Sequence, residues 1–162
     1  MIGFGETIDM RLKKLDISLC VFAIVYLILW TVYIPRVCLV CGISMEPTLH
    51  DGQYLLTIRP LSIDRMDIVT IKTGSEDGTI MKRVIGLPGD TVHIHDGRVY
   101  VNGEPVDNIP TELAGTAYFP LTLGEDEYYV LGDNRAVSKD SRNRFVGPIK
   151  EEQIYRKVVT SK

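Results

Sequence analysis

The chain has 162 residues, 45% hydrophobic and 24% charged, with 18 Lys and Arg against 21 Asp and Glu for a net charge of −3. That length fits one compact domain, and the composition is that of an ordinary globular protein. No basic stripe, long block of like charge, low-complexity tract or internal repeat is present, so nothing points to nucleic acid as a partner.

The first feature in chain order is an uncharged run, ISLCVFAIVYLILWTVYI, from Ile17 to Ile34. As a helix it would reach about 27 Å, close to the ~30 Å hydrocarbon thickness of a bilayer. Arg11, Lys13 and Lys14 precede it, and only Arg36 stands just beyond it. The positive-inside rule then places the N-terminus in the cytoplasm. Trp30 and Tyr33 fit the aromatic belt of the outer interface, and Pro35 ends the helix. A cleaved signal peptide would need a shorter apolar core and a small-residue cut site, and Pro35-Arg-Val-Cys-Leu-Val40 offers no A-x-A. The expected organisation is a cytoplasmic segment over 1–16, a single transmembrane anchor over 17–35 in the cell membrane, and an extracytoplasmic domain over 36–162.

Cys20, Cys38 and Cys41 are odd in number, which gives no disulfide framework. Cys38-Leu-Val-Cys41 has C-x-x-C spacing, but no second C-x-x-C or H-x-x-x-H completes a zinc site. On a strand the two side chains would point to opposite faces, too far apart for a disulfide. Apolar packing is the expected role.

Beyond Pro35 the pattern turns to strands. Val37–Ile43 is a short apolar run. QYLLTI over 53–58, DIVTIK over 67–72 and TIMKRVIG over 79–86 follow, separated by Asp, Gly and Pro turns. TVHIHDGRVYVNGEPV over 91–106 reads as a meander, with Asp96-Gly97 and Asn102-Gly103 as type I′ turn dipeptides. EYYVLG over 127–132 and QIYRKVVT over 153–160 add two strands, and 107–122 reads as loop. Short strands at regular spacing predict a mainly β barrel or sandwich.

Ser44 lies in GISMEPTL, between Gly42 and Pro47. A serine hydroxyl is a weak nucleophile until a base takes its proton. His50 stands beside the Asp51-Gly52 turn, and His93 and His95 share one face of a strand. No Ser-His-Asp arrangement suggests itself. Lys82 sits among Ile80, Met81 and Val84 in an apolar strand. A free lysine has a pKa near 10.4, so only about one in a thousand is neutral at pH 7, roughly 4 kcal/mol against its use as a base. Burial lowers that pKa by up to about 3–5 units. Lys82 is therefore either a strand lysine snorkelling to solvent or a buried base for Ser44. GDNRAVSKDSR over 132–142 is a dense polar run that reads alone as a solvated loop.

Together these stretches resemble the bacterial type I signal peptidases, membrane-bound serine endopeptidases that remove signal peptides from exported preproteins. The resemblance rests on the N-terminal apolar run, Ser44-Met45-Glu46-Pro47-Thr48-Leu49, Asp67-Ile68-Val69, Lys82-Arg83-Val84-Ile85-Gly86-Leu87-Pro88-Gly89-Asp90, and Gly132-Asp133-Asn134-Arg135 through Ser138 to Asp140-Ser141-Arg142, in the family's order. It implies Ser44 as nucleophile and Lys82 as general base, with Ser138 orienting the lysine amine. It also implies supporting ion pairs Asp133 with Arg83 and Asp140 with Arg142. The implied fold is a β-rich signal-peptidase-like catalytic domain with a small β insert over about 87–125, short as in Gram-positive members. Gly42 stands where some members have a serine that joins the oxyanion hole, so the hole would rest on backbone N–H, chiefly that of Ser44, with an amide from Gly42 or a water as the second contributor. Lys82 sets the chain apart from the endoplasmic-reticulum branch, which has histidine at that position.

On this reading a preprotein lies extended beside Val37–Ile43 and Thr79–Met81. Leu39, Val40, Cys41, Ile43 and Met81 form small pockets that accept an Ala-x-Ala-like site. The reaction proceeds through an acyl-enzyme with no metal or cofactor, and the lipid bilayer is the second partner. The rival in another class is a membrane-tethered β-domain that binds peptides without cutting them. A self-cleaving Ser/Lys repressor would need a DNA-binding helix bundle, for which residues 1–16 are too short.

Overall fold

A computed structural model describes residues 4–73, 78–111 and 115–159, with side chains described from residue 17 onward apart from 32 and 33. The chain divides into two compact units, Met1–Ile34 and Pro35–Lys162.

The first unit is the helix α1, Phe4–Tyr33. It begins well before Ile17 and stops just short of Pro35, whose ring and missing N–H cannot continue the ladder. From residue 17 to 31 every side chain is exposed, Phe22 by 73% and Tyr26 by 65%. Among the described residues no helix is long and apolar enough to cross a membrane. The expected span 17–35 takes in residues 32 and 33, whose side chains lie outside the described residues, as do those of Arg11, Lys13 and Lys14.

The second unit is built from short strands: β1 (Arg36–Leu39), β2 (Tyr54–Ile58), β3 (Ile68–Lys72), β4 (Thr79–Gly86), β5 (Thr91–His95), β6 (Arg98–Val101), β7 (Glu104–Pro105), β8 (Leu121–Thr122), β9 (Glu127–Leu131), β10 (Ile149–Lys150) and β11 (Ile154–Val158). Every pairing is antiparallel. One sheet runs β1-β2-β11-β3-β4-β9-β10 and the other β7-β6-β5-β8. Asp96 and Gly97 take φ of 47° and 71°, and Asn102 and Gly103 54° and 87°, the left-handed pairs that type I′ hairpins require. In β5, Val92 and Ile94 are buried, while His93 and His95 stack on the other face with ring centroids 5.6 Å apart.

Three apolar clusters hold the unit together. The second sheet contributes Val92, Ile94, Val99 and Val101, which pack on Ile85, Tyr129 and Leu131 of the first. Gly86 makes this close approach possible, since a Cβ there would come within 2.7 Å of Leu123 and 2.8 Å of Val92. A second cluster joins Val69, Ile71, Val84, Val130 and Ile154. The third, Val40, Met45, Leu49, Ile68 and Val158, lies under the segment that carries Ser44. Each such side chain contributes about 1.5–3 kcal/mol by leaving water.

Three expectations need correction. The run Val37–Ile43 is a strand only to Leu39; Val40 keeps its bonds to Gln53 and Gly52, and the chain then turns at Gly42, φ 90°. The cysteines are not core packing residues: Cys41 is exposed and Cys38 only half-buried, because the early end of the strand lifts residue 41 off the sheet. The loop expected over 107–122 also contains β8, which pairs with β5.

Candidate active site

Ser44 is held by the residues around it. Met45 and Leu49 are buried, with exposures of 1% and 4%, and the Leu49 N–H donates to the Met45 carbonyl at 2.9 Å. These two anchors pin the turn that follows Gly42. From the other side Asn134 donates its backbone N–H to the Ser44 carbonyl at 3.1 Å and its Nδ2 to the Ile43 carbonyl at 3.2 Å. The sequence run around Asn134 was notable for its polarity, but nothing in it specified this clamp.

Lys82 lies in the middle of β4, between β3 and β9, and is 3% exposed. Its Nζ donates to Ser44 Oγ at 2.8 Å and to the Met81 carbonyl at 2.8 Å. Burial lowers its pKa from the usual 10.5, and the carboxylates of Asp140 and then Asp133 partly oppose that. Of the two readings of Lys82 left open by the sequence, snorkelling to solvent does not fit this burial. No histidine takes the place beside Ser44: His50 pairs with Glu46 at the surface, at 3.9 Å.

The remaining polar residues frame this pair. Arg83 Nε and Nη2 donate to the two oxygens of Asp133 at 2.8 and 2.6 Å, and Arg83 Nη1 to the Met66 carbonyl. The register explains the pairing. Arg83 stands opposite Leu131, and Asp133, two residues on, keeps to the same side. Asp140 takes two bonds from the Arg142 guanidinium, at 2.8 and 2.9 Å, and accepts the Gly132 N–H at 3.0 Å. Arg135 is a residue that sequence reasoning assigned no role. It is 5% exposed and donates to the Gly132 carbonyl, Thr111 and Asp107, tying the segment after β7 to the Gly132 turn.

Other candidates are placed less simply. Ser138 Oγ is buried without a hydrogen-bond partner among the described residues, while the Lys82 amine donates to Ser44 and to the Met81 carbonyl. The Gly42 N–H donates to Asp51 Oδ1 at 2.6 Å and is thereby engaged. Leu39, Cys41 and Ile43 are exposed and Met81 is half-buried, but Val40 faces the core at 3% exposure. β1 is the edge strand of its sheet, and β4 pairs with β9 only from Arg83 onward. Thr79–Met81 therefore has no strand on that side among the described residues. A nucleophilic hydroxyl bonded to a desolvated amine, beside two stretches of unpaired strand edge, can attack a carbonyl of an extended peptide.

Residues 12–161 match the family model described as signal peptidase, peptidase S26. The chain is similar to the signal peptidase I of Bacillus licheniformis, 36% identical over 139 residues that cover 76% of this chain and 74% of that protein. Similarity to the signal peptidase I of Streptococcus pneumoniae is 31% over 154 residues, covering 70% and 74%. A crystal structure of a signal peptidase I from Enterococcus faecalis is matched at a TM-score of 0.48 and 28% identity, over 61% of this chain and 97% of that one.

Proposed function

The chain belongs to the signal peptidase family, peptidase S26, a family of serine endopeptidases, and from that premise we propose that it removes signal peptides from exported preproteins with Ser44 as nucleophile and Lys82 as base. The observation that carries this reading is the 2.8 Å hydrogen bond between a buried lysine amine and the serine hydroxyl.

In the proposed mechanism the preprotein lies extended along the free edges of β1 and of Thr79–Met81, adding backbone hydrogen bonds. Leu39, Cys41, Ile43 and Met81 line small pockets for an Ala-x-Ala-like site. Neutral Lys82 takes the Ser44 proton as Oγ attacks the carbonyl, then gives a proton to the leaving amine. Water activated by Lys82 releases the acyl-enzyme. The developing oxyanion is met by the Ser44 N–H. Asp133, Arg83, Asp140 and Arg142 hold the strands that present the pair. α1 anchors the chain in the cell membrane, with the catalytic unit on the extracytoplasmic side. The support for that placement is the uncharged run Ile17–Ile34, whose described side chains are all exposed except the half-buried Ile34.

The test is to incubate detergent-solubilised wild type, Ser44→Ala and Lys82→Ala with a preprotein carrying an Ala-x-Ala site and to locate cuts by mass spectrometry. Cleavage after Ala-x-Ala by the wild type alone, with all three folded, supports the reading. Cleavage retained by Lys82→Ala removes the dyad.

A further inference from the structure

The end of β1 at Leu39 changes the relation between Cys38 and Cys41. A continued strand would set the two thiols on opposite faces. Instead the chain turns between Val40 and Gly42, and both sulfurs come to one atom. The Leu39 carbonyl oxygen stands 3.8 Å from Cys38 Sγ and 4.0 Å from Cys41 Sγ. Both thiols are free, and Cys41 is exposed. Neither thiol takes part in the chemical steps proposed at Ser44, although Cys41 also lines a proposed substrate pocket.

We propose that Cys38 and Cys41 are a modification site, a thiol pair that a small disulfide oxidises to an intramolecular disulfide, and that closing this ring withdraws Ser44 from Lys82. The second half rests on the function proposed above. The Cys41 thiolate attacks one sulfur of the oxidant, whose S–S bond breaks and expels a thiolate. The Cys38 thiolate then attacks the Cys41 sulfur of the mixed disulfide and expels the other thiolate. The protein loses two electrons and two protons, and the oxidant gains both as it becomes two thiols.

Ring closure needs the two Cα atoms within about 4.4–6.8 Å, and any adjustment that this demands falls on residues 38–41. Val40 cannot supply the slack. It is buried, donates to the Gln53 carbonyl at 2.8 Å and accepts the Gly52 N–H at 2.9 Å. The movement falls on Cys41, Gly42 and Ile43, which are exposed; it pulls on the Gly42 bond to Asp51 and on the Asn134 bonds to the Ile43 and Ser44 carbonyls, and so reaches Ser44. A displacement of about 1 Å at a reacting atom costs up to roughly a hundredfold in rate.

The experiment treats the full chain in detergent micelles with oxidised glutathione, blocks remaining thiols with iodoacetamide and maps tryptic peptides by mass. The fragment Val37–Arg65 holds Cys38 and Cys41 and no other cysteine. The expected result is a fragment lighter by two hydrogens with no alkyl group, together with a 10- to 100-fold loss of preprotein cleavage, both reversed by dithiothreitol. Cys38→Ser is compared with its own reduced activity, and after oxidant its fragment carries a glutathione adduct and no ring. Cys20→Ser responds as the wild type does. Two alkylated thiols, or glutathione on both, would overturn the proposal. A ring that forms with cleavage unchanged overturns the withdrawal of Ser44. If the reduced wild type does not cut, the function reading fails and the withdrawal with it, while the mass of the fragment still decides the ring.

Discussion

Ser138 fills the space that a side chain on Gly132 would need. A Cβ at Gly132 would overlap Ser138 Oγ and come within 2.5 Å of both Ser138 Cβ and the Ser44 carbonyl oxygen. The register Arg83 with Leu131, carried one residue further, sets Gly132 across from Lys82, so a side chain there would push on both Ser138 and the Ser44 carbonyl. Gly132→Ala is expected to destabilise the protein by about 1–3 kcal/mol and to remove most cleavage. Thermal melting and a preprotein assay check this, and a variant unchanged in both would show that the Asp133–Ser138 turn yields freely.

Burial sets the charge state of Lys82, so activity follows its titration. kcat/KM should rise with pH and level off below the ordinary lysine value of 10.5, since desolvation lowers this pKa. Lys82→Arg, charged at every accessible pH, is expected to lose about 10²–10⁴-fold. Between the folded value and 10.5 the unfolded chain binds more protons, so the cost of burying this lysine is full below the folded value and fades as pH rises toward 10.5. Lys82→Met should then raise Tm at neutral pH, by about 2–4 °C for each kcal/mol recovered, while abolishing cleavage.

Asp140 pulls the other way on the same amine. Its carboxylate raises the pKa of Lys82, so Asp140→Asn should move the rising limb of the pH–rate profile to lower pH. An asparagine oxygen can still accept the Gly132 N–H. A lower plateau with the limb unmoved would leave Asp140 a purely structural part.

The Arg83–Asp133 pair should matter for stability. Asp133 is 4% exposed, and its removal in Asp133→Ala leaves a largely buried guanidinium unpaired, at a cost of about 3–5 kcal/mol. Burial alone would raise the Asp133 pKa, but its bonds from Arg83 and Thr48 outweigh this and hold it below 3.8. Its stabilising effect is therefore present above 3.8 and lost as pH falls through the lower folded value. Urea midpoints measured across that range should fall for the wild type and lose this component in Asp133→Asn.

The strands were legible because their residues alternate. Val92 and Ile94 against His93 and His95 gave β5, and Asp96-Gly97 and Asn102-Gly103 gave the turns on either side of β6. Lys82 announced itself by breaking an apolar run. Elements of two residues, such as Leu121–Thr122 and Ile149–Lys150, carry no period and could not be read. Nor could the stop at Leu39, since Val40 is as apolar as a strand residue and keeps its bonds to Gln53 and Gly52, the turn coming only at Gly42. Arg135 looked like one more charge in a polar run, and only tertiary structure brings Asp107 and Thr111 to it. Val40 passed for a pocket wall because sequence alone does not say which way a residue faces once a strand has ended.

The place of β11 has a consequence in time. In the sheet order it lies between β2 and β3, although among the described strands it is the last in chain order. Ser44 follows the β1–β2 side of that seam, and Lys82 belongs to β4 on the other. Until residues 154–158 leave the ribosome the two halves have no strand to join them, and β2 waits with one edge unfilled. Ser44 and Lys82 thus come from two parts that meet late, so a half-made chain would hold the proposed pair unassembled while its own N-terminal apolar run is already made.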